Sequence, residues 1–177
     1  MSAKQAQRSR RTTKRTPAKS AFQKAVEACK PKDVAASYES GKQALKGGHR
    51  PLVSHSDNSF TGSIDLDKAL TVAGVEGRKW DYGIGYMQGT KEACVWVEVH
   101  PATMGEVDVM LEKLDALRAW LREDGGPLLD LTRACPDPFV WLSTDSGVPF
   151  GRTAQKARKM VTKGLRFPER HLALPLP

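Results

Sequence analysis

The chain has 177 residues, 40% hydrophobic and 27% charged, enough for one domain with a buried core and too many for a miniature stapled scaffold. Its net charge is +8, and Lys4, Arg8, Arg10, Arg11, Lys14, Arg15, Lys19 and Lys24 supply all of that excess within an acid-free stretch of 24 residues. No apolar run reaches the roughly 20 residues of a membrane span, and Cys29, Cys94 and Cys135 form no Cys-x-x-Cys pair, which argues against a membrane partner, a disulfide framework and a zinc ribbon and for a reduced, cytoplasmic setting.

Residues 1–24 are rich in Ser, Thr, Gln and Ala and cannot bury a core, so they read as a disordered basic tail ahead of a single domain over 25–177. The domain itself is electrically balanced, with 20 basic and 20 acidic residues. Arg8, Arg10, Arg11, Lys14 and Arg15 suit contacts with nucleic-acid phosphates. The competing reading is a merely solubilising terminus.

Apolar residues between Phe22 and Leu45 recur at roughly helical spacing and are interrupted at Pro31, which predicts two short helices. Gly47, Gly48 and Pro51 end them, and the polar stretch Ser54–Ser59 reads as a loop. Strands are predicted over 60–66, 79–87 and 93–99, the last two joined by a hairpin at Gln88-Gly89-Thr90, with a single helical turn within 67–78. Val107, Met110, Leu111, Leu114, Leu117 and Leu121 mark a long helix over 104–122, stopped by Gly125-Gly126-Pro127. The apolar run FVWLS at 139–143 suits a buried strand. A basic helix over 152–163 with Gly164 at its C-cap and a short strand at 170–174 complete an α/β layout. Short links predict an antiparallel meander for the first three strands, and the long helix predicts a parallel fourth.

Strand alternation places Val95, Val97 and Val99 on one face of the third strand, where they are expected to pack on the long helix, and Cys94, Trp96, Glu98 and His100 on the other. In the second strand Asp81 shares a face with Gly83 and Gly85, which suggests open space beside the acid. If the three strands are neighbours, Asp65, Asp81 and Glu98 could converge on a hard cation such as Mg2+ or Mn2+.

The order helix, three-strand meander, helix, strand, with Asp81 on the second strand and Glu98-Val99-His100 on the third, resembles the PD-(D/E)XK, or restriction-endonuclease-like, nucleases over roughly residues 33–143. That resemblance implies an αβββαβ core with a mixed sheet flanked by helices, and metal-dependent hydrolysis of DNA, ahead of RNA. It also implies Asp81 and Glu98 as metal ligands and a homodimer as one assembly. His100 stands where the family has a lysine that orients the attacking water, and Trp80 stands where it has a proline. Gly62-Ser-Ile-Asp65 resembles a Gly-x-x-Asp form of the motif, which makes Asp65 the rival first acid.

The resemblance makes Lys113, at the edge of the long helix's apolar stripe, a candidate substitute for the missing lysine, against the plainer reading of a lysine snorkelling from a helix edge. Glu98 among valines is costly unless paired or metal-bound; the plainer reading is a salt bridge to Arg78 or Arg118. Asp65 has helix-capping as its alternative. Arg152, Lys156 and Lys159 either line a phosphate backbone or form a solvated face. The four tryptophans sit at apolar positions and read as core. The competing function is a non-catalytic nucleic-acid-binding or protein-interaction module on the same fold.

Overall fold

The computed structural model describes residues 18–144 and 155–177. Ser20 accepts a hydrogen bond from Gln23 N–H at 3.0 Å and starts helix α1, Ala21–Glu27, which buries Phe22, Ala25 and Val26. Helix α2 is only Lys32–Ala35; beyond it the chain leaves helical geometry, and Glu39 pairs as an isolated bridge with Ser63. A 3-10 turn at Arg50–Leu52 leads into strand β1, Val53–His55, which overlaps the start of the stretch expected to be a loop. Strand β2, Phe60–Asp65, runs directly into helix α3, Leu66–Val72, a seven-residue helix where a single turn was expected. Strands β3, Tyr82–Gln88, and β4, Lys91–Val99, form a hairpin whose turn needs the left-handed Gly89, φ 63°.

Helix α4, Glu106–Glu123, keeps its six predicted core residues buried. The Gly-Gly-Pro that ends it also starts helix α5, Gly126–Arg133, because proline is tolerated in a helix's first turn, where its missing N–H has no partner to lose. That helix went unpredicted. Strand β5, Phe139–Leu142, helix α6, Gln155–Thr162, and strand β6, Leu172–Leu174, complete the described chain.

The main sheet has the order β2-β3-β4-β5, antiparallel across the first three strands and parallel between β4 and β5. The chain is thus an α/β protein with a mixed four-stranded sheet and flanking helices. β1 and β6 form a separate parallel pair. Among the described residues no helix is long and apolar enough to cross a membrane.

The sheet is buried on both faces, and its assignment to helices reverses the expectation. Cys94 and Trp96 face α1, α4 and α5 in one core, whereas Val95, Val97 and Val99 join Tyr82, Ile84, Tyr86, Leu45 and the β1/β6 residues in the other. Alternation decides which residues share a face, not which element lands on it. The space beside Gly83 and Gly85 is also filled. A Cβ on Gly83 would lie 2.7 Å from Trp96, and one on Gly85 would collide with Phe22, so the glycines are notches that admit these two rings.

Candidate functional site

The β3/β4 register pairs Tyr82 with Val97, which sets Asp81 opposite Glu98 where the ladder ends. Each acid stands in for part of the missing ladder: Asp81 N–H donates to Glu98 Oε2 at 3.1 Å, and Val99 N–H donates to Asp81 Oδ2 at 3.0 Å. Leu66 N–H donates to the Asp81 carbonyl at 2.8 Å, so the β2/α3 junction is tied to the same point. Glu98, on the Trp96 face and therefore toward α4, is 1% exposed and accepts a hydrogen bond from Lys113 Nζ. Lys113, itself partly exposed, is thus the partner of the buried Glu98, and neither Arg78 nor Arg118 takes that place.

Burial, and then the neighbouring Asp81, push the Glu98 carboxyl up to about 7 against the pull of Lys113. Asp81 is also raised, by burial first, with the Val99 N–H and Lys113 opposing and Asp67 adding to the rise.

Asp81 also opens on a cleft of about 330 Å3 lined by Lys46, Asp65, Asp67, Lys68 and Tyr82. Asp65 lies along this cleft, but its Oδ1 accepts Lys68 N–H at 2.9 Å and so caps α3. Among the described residues no group of three or more His, Cys, Asp or Glu is arranged to hold a metal ion. Asp81 and Glu98 come together; the expected trio with Asp65 does not form as a ligand cluster. His100 is drawn elsewhere: the strand stops at Val99, and the half-buried imidazole meets Glu106 Oε2 at 3.1 Å.

The cations of α6 behave differently from a free phosphate-binding row. Lys156 and Lys159 bind Asp108 at 2.8 and 3.2 Å, and Lys163 binds Asp115 at 3.1 Å, because α6 packs along α4 and its basic face meets that helix's acids. Arg8, Arg10, Arg11, Lys14, Arg15 and Arg152 lie outside the described residues. Sequence reasoning missed Lys46, Asp67 and Lys68 as cleft residues. Lys46 had no motif to mark it, since only the fold brings it beside Asp81; Asp67 stood out as an acid at the end of the strand phrase Gly-Ser-Ile-Asp-Leu-Asp.

No protein-family model, curated protein or solved structure matches this chain.

Proposed function

We propose that this protein is a metal-dependent nuclease of the PD-(D/E)XK type, hydrolysing phosphodiesters in DNA or RNA. The observation that supports this most is the Asp81–Glu98–Lys113 cluster at the ends of two paired strands, with Asp81 facing an open cleft. Magnesium and manganese take hard oxygen ligands and are commonly held by one or two carboxylates, waters and substrate phosphate completing the shell. Asp81 and Glu98 fit as that pair. A bound ion would supply an activated water and stabilise charge on the leaving oxygen.

Lys113 opposes, without cancelling, the rise that burial imposes on Glu98, and it places a cation beside the reacting groups, the role that the family's strand lysine would have. Glu98, held by Lys113 and the Asp81 N–H, is fixed in orientation. Lys46 and Lys68 place positive charge along the cleft beside its three aspartates.

The experiment is incubation of the protein with plasmid DNA, single-stranded DNA and RNA, in manganese, magnesium or EDTA, beside Glu98→Ala, Asp81→Asn and Lys113→Met. Cleavage that requires the metal and disappears in all three variants is the expected result.

A second reading is a non-catalytic binding module. It is favoured by one observation: three of the four carboxylate oxygens of Asp81 and Glu98 already accept hydrogen bonds from protein donors. Nucleic-acid binding that survives Glu98→Ala, with no cleavage by the parent protein in any metal, would establish it in place of the nuclease.

A further inference from the structure

Between the second half of α4, α5 and the start of β5 lies another cleft of about 330 Å3, and none of its lining residues belongs to the acid cluster. Its apolar floor is formed by Leu121, Leu129 and Phe139, and its rim carries Arg118, Arg122 and Arg133. The half-buried Arg118 guanidinium lies over the Phe139 ring, 4.8 Å from its centroid. That stacking strips water from one face and leaves the fork's N–H edge available.

Among the described residues, neither Arg118 nor Arg122 has a carboxylate at ion-pair distance, while Arg133 shares the exposed Asp130 at 3.1 Å. The nearest competitor on α4, Asp115, is already bound by Lys163. The other polar groups of the lining add no charge. The Thr132 hydroxyl is taken by Trp96 and the Leu128 carbonyl, and burial pushes the Cys135 thiol up, so it stays neutral. What remains is an apolar floor beside two guanidinium groups, Arg118 and Arg122, with no carboxylate at ion-pair distance among the described residues, and a third, Arg133, that shares Asp130.

We propose that this cleft binds a nucleotide-like phosphate monoester, its planar body on Leu129 and Phe139 and its dianion held by Arg118 and Arg122, with Arg133 at the rim. A single carboxylate would leave most of this positive charge unbalanced, whereas a phosphate monoester carries a charge of about −1.5 to −2 and three acceptor oxygens suited to bidentate arginine. The volume, near the low end of the roughly 300–1,000 Å3 typical of ligand pockets, suits one nucleotide and not a duplex.

The test is calorimetry on the full chain with adenosine 5′-monophosphate, ribose 5-phosphate, adenosine, inorganic phosphate and benzoate as separate probes. Adenosine 5′-monophosphate should bind more tightly than each of the others, because it alone presents both base and phosphate. Arg118→Gln and the more exposed Arg122→Gln should each weaken it about tenfold, in line with loss of a charge-assisted hydrogen bond, and Arg122→Gln should do so with an unchanged melting temperature. Arg78→Gln, at an arginine paired elsewhere with Glu112, should leave it unchanged. The proposal is overturned if inorganic phosphate or benzoate binds as tightly as the nucleotide, or if neither cleft arginine affects binding. It is equally overturned if Glu98→Gln abolishes binding, which would place the nucleotide at the acid cluster.

Discussion

Glu98 shows how burial turns a carboxylate into a pH-dependent element. Its folded-state value, about 7, lies above the ordinary 4.5, so the folded protein holds a proton that the unfolded chain has released. The resulting stability is fully present below about pH 4.5 and is lost as pH rises toward 7, a span on the order of 3 kcal/mol, with Asp81 shifted in the same direction. Urea midpoints measured from pH 4.5 to 8 should therefore fall with pH for this group's part, and Glu98→Gln should flatten that fall. An unaltered slope in the variant would show that other groups govern it. At Gly85, where a Cβ would collide with the Phe22 ring, Gly85→Ala should cost about 1–3 kcal/mol by overpacking. The readout is the urea midpoint, and a neutral result would mean that α1 shifts freely on the sheet.

At the scale of elements, the helices are held by different kinds of contact. Helix α5 is pinned to β4 through Trp96 Nε1–H, which donates to the Thr132 hydroxyl at 2.9 Å, and that hydroxyl in turn donates to the Leu128 carbonyl at 2.7 Å. Thr132→Val keeps the shape and orphans a buried indole N–H, so it should cost about 1–3 kcal/mol by equilibrium unfolding. Helix α6 is held by Met160 and Ala157 in the core and by exposed lysine–aspartate pairs. Exposed pairs are weak and screened by salt, whereas emptying a core site is not compensated. Met160→Ala should therefore cost about 2–4 kcal/mol at any ionic strength. Asp108→Ala should lower the melting temperature far less, and its effect should vanish at high salt; a larger effect for Asp108→Ala would assign the docking of α6 to electrostatics.

Across the whole molecule, charge and apolar cover are divided between separate regions. The excess of +8 sits within residues 1–24, the last four of which already belong to helix α1, and the residues after them are balanced in charge. If nucleic acid is the partner, removing residues 1–17 should reduce the dependence of binding on salt, measured as the slope of log affinity against log salt. If the acid cluster is a nuclease site, cleavage should persist at saturating substrate. The second core, under Tyr82, Ile84, Tyr86 and the valines of β4, is closed by Leu172, Leu174 and Leu176, so the chain's last residues complete a face that β3 and β4 begin.

Local pattern was enough for the long helix, the β3/β4 hairpin, the buried strand at 139–142 and the mixed sheet. Each depends on periodicity or on turn residues within a few positions of one another. It was also enough to single out Asp81, Glu98 and Lys113, since an acid in an apolar strand and a lysine at a stripe's edge are visible exceptions to the pattern. The Asp65 cap, three residues from its partner, was already one of the two readings the sequence offered, whereas the tertiary structure alone decided that Glu98 turns to α4 and is held by Lys113. It alone paired β1 with β6 and Lys156 with Asp108, partners 119 and 48 residues apart at Val53–Leu172 and Asp108–Lys156. The physical reason is the same in each case. Alternation and helical spacing settle which side chains share a face, while the partner that meets that face is chosen by packing between segments remote in sequence, of which no local pattern carries a record.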